Sequence, residues 1–218
     1  MILVAEGICK SYGQKEVLKG VDISIEKASL VSIVGASGAG KSTLLHILGS
    51  LDTADAGTIL IDGKPLHNLK GKTLAAFRNR HIGFIFQFHH LLPEFTVLEN
   101  VCIPAWIAGT AKGKAEKDAM ELLDILGIAV LAEKKPNQLS GGEQQRTAIA
   151  RALINKPDIV FADEPTGNLD SKNAHEMQDL FLDLRKRFQQ TFLMVTHNEE
   201  LANMCDRKLT MIDGLITG

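Results

Sequence analysis

The sequence has little that would tie it to an oxidising compartment. Its three cysteines, Cys9, Cys102 and Cys205, are odd in number and widely separated, without the close spacing of a metal site or a disulfide framework. A reduced cytosolic compartment is the simplest reading. An excess of charge of one sign is also missing: the formal net charge is -2, so there is no global electrostatic footprint for nucleic acid, and no nucleic-acid partner is expected. Arg78-Asn79-Arg80-His81 and Arg185-Lys186-Arg187 are short basic clusters that read as solvated helix faces or ends. Long apolar runs are lacking as well. The weakly charged stretch from Val101 to Ala111 is interrupted by Pro104 and Gly109 and is too short to span a bilayer. Direct membrane insertion is therefore not expected, and any membrane role must run through a partner. The opening MILVAEGICK has a short apolar run, an early Glu6 and no basic leader, which does not read as a secretory signal. Internal repeats and low-complexity tracts are absent.

What is present is an ordinary globular composition, 45% hydrophobic and 23% charged, which argues against a disordered or fibrous chain. At 218 residues the chain is long enough for one substantial core, or one core with a smaller attached subdomain, and is expected to fold as one unit. Ile23-Ser24-Ile25-Glu26 alternates as a half-buried strand, whereas Leu30 to Val34 is a nearly continuous apolar run of the kind buried on both faces of a parallel sheet. Thr58 to Asp62, followed by Gly63-Lys64, predicts another strand leading into a turn. The N-terminal part thus combines a small β layer with the opening strand of an α/β core. Ile82 to Phe86, Ile159 to Ala162 and Phe192 to Thr196 are short, β-branched or aromatic runs separated by helical patterns, as parallel strands with crossover helices require. Between residues 88 and 150 helical segments dominate, among them Lys114 to Leu126 with Met120 and Leu123, closed by Gly127; this stretch reads as a helical insertion. Lys208 to Ile216 alternates about Asp213-Gly214, a hairpin signal that would finish the sheet.

The strongest chemical motif is GASGAGKS, Gly35 to Ser42, directly after the strand ending at Val34 and before the helical pattern that begins Thr43-Leu44-Leu45. This is the strand, loop and helix context of a phosphate-binding P-loop, in which glycines let backbone amides wrap the phosphates. Lys41 is expected to reach the terminal phosphates and Ser42 to ligate Mg²⁺. Ile159 to Ala162 ends in two carboxylates. Asp163 is the natural metal partner, and Glu164 can polarise or position an attacking water. Phe192 to Thr196 leads to His197, and Ile82 to Phe86 leads to Gln87. A lone His or Gln means little by itself. Parallel α/β sheets, however, gather their ligands at the C-terminal ends of their strands, so Asp163, Glu164, Gln87 and His197 are expected to converge beside the loop after Val34.

A second anion cradle lies about a hundred residues on, a spacing well within one chain of this size. In LSGGEQQRTAIARAL, Ser140-Gly141-Gly142 precedes a helix marked by Ile149 with Leu153 and Ala150 with Ile154, with acidic Glu143 in its first turn. A helix N-terminus attracts phosphate through its unpaired N–H groups and its dipole.

With GASGAGKS, Gln87, LSGGEQQR, FADEP, Gly167-Asn168-Leu169-Asp170 and His197 in that order, the chain resembles the ATP-binding cassette ATPases over essentially its whole length. LSGGE is the specific part. The resemblance implies a P-loop NTPase of α/β class: a RecA-like core with an N-terminal antiparallel β subdomain (together residues 1–87 and 151–218) and an inserted helical subdomain (88–150). It implies ATP and Mg²⁺ as ligands, with Tyr12 stacking on adenine. The Walker A loop of Gly35, Ala36, Ser37, Gly38, Ala39, Gly40, Lys41 and Ser42, followed by Thr43, would hold the phosphates. Gln87 would sense Mg²⁺ and the partner subunit, and Ser42 and Asp163 would hold the metal. Glu164 would be the catalytic carboxylate, His197 the switch on the γ-phosphate, and Asp170 part of the loop linking two sites. Ser140, Gly141, Gly142 and Glu143 would serve the ATP of a second copy, in a head-to-tail homodimer formed in the ATP-bound state.

With only about fifty residues between Gln87 and Ser140, the long coiled coil of the chromosome-maintenance and double-strand-break-repair cassettes has no room, a single cassette is unlike the translation-factor type, and the chain resembles most a separate ATPase subunit of a bacterial transporter. FQFHHLLPEFTVLENV, Phe86 to Val101, lies where such subunits receive a membrane permease, and it resembles most the ATPases of lipoprotein-releasing systems at the cytoplasmic face of the bacterial inner membrane. DEPTGNLD suits the same group. Relatives in cell-division signalling and in macrolide or peptide efflux are similar here and stay open. Leu91, Leu92, Phe95, Val97 and Leu98 have a plainer reading as core of the helical segment. Ala39 departs from the usual Ser or Cys of the Walker loop at a position that mainly supplies backbone, and Gln144 departs from the Arg usual in the lipoprotein branch.

Overall fold

The computed structural model describes residues 1–217, apart from the side chains of residues 171 and 172. Strands β1 (Leu3–Tyr12) and β2 (Lys15–Ile25) form a hairpin, followed by β3 (Leu30–Val34), the P-loop and helix α1 (Lys41–Leu48). Next come β4 (Ala56–Ile61), β5 (Lys64–Pro65), α2 (Gly71–His81) and β6 (Ile82–Phe86). Helices α3 (Val97–Ile107), α4 (Lys112–Ile125) and α5 (Gly141–Leu153) fill the middle of the chain. The last third alternates: β7 (Ile159–Asp163), α6 (Ser171–Phe188), β8 (Phe192–Val195), α7 (Glu199–Asn203) and the hairpin of β9 (Arg207–Ile212) with β10 (Leu215–Thr217).

Two sheets result. The smaller, in the order β2-β1-β4-β5, is antiparallel throughout; the larger runs β10-β9-β3-β8-β7-β6, parallel except for its terminal hairpin. The hairpin turns at Asp213 (φ 46°) and Gly214 (φ 83°), both positive as a two-residue turn between twisted strands demands.

All five residues of β3 are buried, and period-two alternation sorts the central strands between two cores. Val31, Ile33, Phe161, Leu193 and Val195 face a cluster shared with α1 and the antiparallel sheet. Leu30, Val160, Ala162, Phe192 and Met194 face the other way, into a cluster continuous with Val97, Val101, Ala119, Leu123 and Ile149 of the middle helices and with Phe181 of α6. The middle helices are therefore packed onto one sheet face by a shared apolar core.

Several local expectations are refined. β1 and α2 carried no clear sequence signal; in α2 only Phe77 is buried, so it has no apolar stripe to betray it. In α4, Leu123 is fully buried, but Met120 is exposed. Pro104 lies inside α3 rather than ending it, and its carbonyl accepts from Asn79 and Asn155 at 3.1 Å each. The basic clusters are not merely solvated: Arg78 donates to the Ser50 carbonyl at 2.9 Å, while Arg185 donates to the Ala28 carbonyl and pairs with Asp206, both at 3.0 Å.

Candidate functional site

The adjacent parallel strands β3, β8, β7 and β6 all end on one edge of the larger sheet, and the loops that leave them bear the residues singled out above. After β3, Gly40 at φ 103° is the N-cap of α1, and no side chain caps that helix. Its first amides and its dipole therefore face an anion site that the protein itself does not fill. Lys41 lies back along the loop, donating to the carbonyls of Gly35 at 2.8 Å and Ala36 at 3.0 Å. Ala36, Ser37 and Gly38 are exposed. Ala39 is buried and its carbonyl accepts from Gly214 N–H at 3.1 Å, which ties the loop to the terminal hairpin.

Across the loop, the Ser42 hydroxyl donates to Asp163 Oδ1 at 3.1 Å. Burial pushes the Asp163 carboxyl above its ordinary value, opposed by the Ser42 hydrogen bond. His46, one turn along α1, brings Nε2 to 3.8 Å from Asp163 Oδ2 and has no hydrogen-bond partner on that nitrogen. Nothing in its sequence position singled His46 out; only the i+4 offset from Ser42 on a helix pointed to a shared face.

Glu164 follows at φ 46°, a left-handed conformation rare for a glutamate, held by its N–H on Val195 O at 2.9 Å and by Gly167 N–H on its own carbonyl at 3.0 Å. The turn aims the carboxylate at His197. Oε2 lies 2.9 Å from Nδ1 and accepts the His197 backbone N–H at 3.2 Å. The carboxylate is recessed, 17% exposed, while the imidazole is 71% exposed. Gln87 behaves differently. It forms a reciprocal pair with Asn168, Nε2 donating to Oδ1 at 3.0 Å and Asn168 Nδ2 returning to the Gln87 carbonyl at 2.9 Å. Gln87 thus faces the loop after Glu164 instead of bonding Asp163, and Asn168 is a partner that sequence reasoning did not pick.

The second cradle stands apart. Ser140 caps α5, accepting Glu143 N–H at 3.3 Å, while Glu143 Oε2 takes the Ser140 N–H at 2.7 Å and its hydroxyl at 2.9 Å. These bonds hold the Glu143 carboxyl below its ordinary value. No hydrogen bond or ion pair among the described residues joins 140–143 to 35–43. The glycines pack instead on the loop after Glu164 and the first turn of α6: a Cβ on Gly141 would stand 3.7 Å from Leu169 of the loop, and one on Gly142 3.0 Å from Asn173 Oδ1 of the helix. Asp170 caps α6, accepting Asn173 N–H at 2.9 Å and the Asn173 amide at 2.8 Å. Gln144 donates to the carbonyls of Pro136 and Leu139, both at 3.2 Å, and so anchors the approach to the cradle.

Tyr12 ends β1 with its ring half exposed and its hydroxyl on Asp52. At the start of α3, Val97 is fully buried and Leu98 partly so, as the core reading expects, but in the segment before it Leu92 and Phe95 are exposed and Phe88 is 68% exposed. Arg151 of α5 holds one end, donating to the carbonyls of His89 at 2.6 Å and His90 at 2.7 Å. Buried Asn100 holds the other end, donating to the carbonyls of Leu92, Phe95 and Thr96 at 3.0, 3.1 and 2.9 Å and accepting Leu92 N–H at 2.8 Å.

Comparison with known proteins finds relatives along nearly the whole chain. The model of the family described as ABC transporter matches residues 18–167. The chain is 59% identical over 211 residues to the lipoprotein-releasing system ATP-binding protein LolD of Bacteroides fragilis, covering 97% of this chain and 98% of the relative. To the LolD protein of Cytophaga hutchinsonii it is 60% identical over 215 residues, covering 99% and 98%. Among solved structures, the dimeric bacterial ABC transporter cassette MJ0796 superposes with a TM-score of 0.90 at 38% identity, covering 99% of this chain and 97% of that one. The same cassette has been seen as a dimer in a post-hydrolysis state with ADP and Pi, again at a TM-score of 0.90.

Proposed function

The chain belongs to the ABC transporter family, and on that premise we propose that it is the ATP-hydrolysing subunit of an inner-membrane complex that releases lipoproteins for transfer to the outer membrane. The observation that carries the ATPase reading is the pair of contacts at neighbouring strand ends, Ser42 to Asp163 at 3.1 Å and Glu164 to His197 at 2.9 Å, beside an uncapped helix N-terminus. The lipoprotein branch rests on full-length relatives of that name at 59% and 60% identity.

In this reading the amides of Gly35 to Gly40 and the N-terminus of α1 bind the phosphates of ATP, and Lys41 exchanges its loop carbonyls for the terminal phosphate oxygens. Ser42 and Asp163 suit Mg²⁺: they are hard oxygen donors side by side, and among the described residues no cluster of three His, Cys, Asp or Glu offers a closed cage that would favour another metal. Held by Ser42 and Asp163, such an ion would supply positive charge to offset that of the bound phosphates. Glu164 orients the attacking water and accepts its proton, and its recessed position limits its contact with bulk solvent. His197 fixes that carboxylate from the outer side and reaches the γ-phosphate.

Ser140, Gly141, Gly142 and Glu143 share no hydrogen bond or ion pair with the P-loop among the described residues, and in this reading their cradle serves the ATP of a second copy in a homodimer, as the dimeric cassette among the solved structures supports. A γ-phosphate held from both sides favours the closed dimer, and its loss on hydrolysis removes that differential affinity. Residues 1–87 and 151–218 then act as the catalytic core and 88–150 as the helical subdomain. The membrane subunits bind the Gln87 to Val101 segment, consistent with exposed Phe88, Leu92 and Phe95. Among the described residues no helix is long and apolar enough to cross a membrane. In this reading those subunits hold the chain at the cytoplasmic face.

The test is to purify tagged Glu164→Gln protein from detergent-solubilised native membranes with ATP and Mg²⁺ and identify what accompanies it. Recovery of lipoprotein-releasing membrane subunits is expected. A cell-division or efflux permease in their place would keep the ATPase and overturn the cargo.

A further inference from the structure

Tyr12 is the single tyrosine of the chain, and a ring that is 52% exposed at the end of a strand is normally free to change rotamer. Here it is clamped. Its hydroxyl donates to Asp52 Oδ2, with the Thr43 side chain as the phenol's further polar neighbour. Lys10, two residues back on β1, is buried to 9% exposure and holds Nζ 5.1 Å from the centre of the Tyr12 ring. The same ammonium lies 3.2 Å from Asp52 Oδ1 and 3.7 Å from Asp55 Oδ1, and it donates to the Thr53 carbonyl at 2.6 Å. The loop that bears Asp52 is itself tied to α1, with the N–H groups of Leu51 and Asp52 on the His46 carbonyl at 2.8 and 3.2 Å.

A buried cation on one side of an exposed ring, and a carboxylate on its hydroxyl, fix the ring plane and leave its exposed side to one flat partner. The fixing group is carried by the loop that follows α1, the helix that starts at Lys41. Base platform and phosphate cradle are therefore one body. We propose that Asp52 and Lys10 are positioning residues for the nucleotide base: they hold the Tyr12 ring as the platform on which adenine stacks and thereby set the base-dependent part of ATP affinity. This rests on the reading that Tyr12 stacks on adenine.

Titration calorimetry of the full chain with Mg²⁺–ATP and, separately, with Mg²⁺–tripolyphosphate tests it, since tripolyphosphate fills the cradle without a base. Tyr12→Ala should weaken ATP roughly tenfold, within the range of one base stacked on an aromatic ring, and leave tripolyphosphate unchanged. Asp52→Ala and Tyr12→Phe, which free the ring without removing it, should each weaken ATP about threefold, raising KM with kcat retained, again with tripolyphosphate unchanged. Asp52→Asn, which keeps an acceptor for the hydroxyl, should restore most of the ATP affinity.

Wild-type ATP affinity in Asp52→Ala and Tyr12→Phe, with the loss confined to Tyr12→Ala, would overturn the positioning role and keep the stacking. Wild-type affinity in Tyr12→Ala would overturn the stacking itself. An equal loss for tripolyphosphate in Asp52→Ala would reduce Asp52 to a fold contact and also overturn the proposal. If Asp52→Ala does not fold, Tyr12→Phe still decides, because the ring and the backbone remain.

Discussion

Lys41 donates to two carbonyls of its own loop, at 2.8 and 3.0 Å, and the ammonium is therefore stationed at the loop before any phosphate arrives. Exchanging carbonyl dipoles for anionic oxygens strengthens each of these bonds, since charge-assisted hydrogen bonds are about twice as strong as those between neutral groups. Lys41→Ala removes the only side-chain cation that the P-loop brings to the terminal phosphates, and steady-state turnover should fall by at least about a hundredfold. Normal turnover in that variant would remove the P-loop from the mechanism. Lys41, Ser42 and Asp163 were all legible from local motif and strand context. His46 beside Asp163 and Asn168 on Gln87 were not: each acts through a partner far away in sequence, and an isolated His or Asn leaves no periodic trace. The same holds for Asp52, whose value to Tyr12 comes from a chain reversal after α1.

Helix α5 joins two surfaces. Its first residues carry the glycines of the second cradle, and Arg151 in its last turn grips the carbonyls of His89 and His90, both at positive φ, 31° and 48°. Burial lowers the Arg151 guanidinium from its ordinary value, so its hydrogen bonds offset a real desolvation cost. Arg151→Met keeps the apolar stem and leaves both carbonyls without their donor. It should lower unfolding stability by about 2 kcal/mol in urea titration and speed hydrogen exchange in residues 88–92, while helix α5 stays protected. Unchanged exchange there would mean that the segment is held by Asn100 alone. At this scale α5 and α4 were readable because a 3.6-residue apolar period and a capping residue mark them. α2 was not, with Phe77 its single buried residue. The exposed Leu92 and Phe95 were not readable either, because an apolar residue in sequence does not announce which face of the molecule it will occupy.

For the whole molecule, the arrangement of cradles argues for a closed dimer only when ATP persists. Glu164→Gln keeps the shape and the hydrogen bond to His197 but removes the base that takes the proton from water, so ATP should remain bound. Light scattering after size exclusion should then give twice the monomer mass with ATP and Mg²⁺ and monomer mass with ADP. A monomer under both conditions would remove the shared-site account and leave Ser140-Gly141-Gly142 as a helix cap. The sequence by itself determined the alternation of buried strands with helices, the P-loop, the terminal hairpin and the polar strand ends, because each is written in local periodicity, backbone demand or residue type within a few positions. Only the tertiary structure decided which strands are neighbours, that the middle helices share a core with one sheet face, and that Tyr12, Gln87 and Asp163 meet Asp52, Asn168 and His46. Those pairings depend on how distant segments bury their apolar faces together, and no short stretch of sequence contains that information.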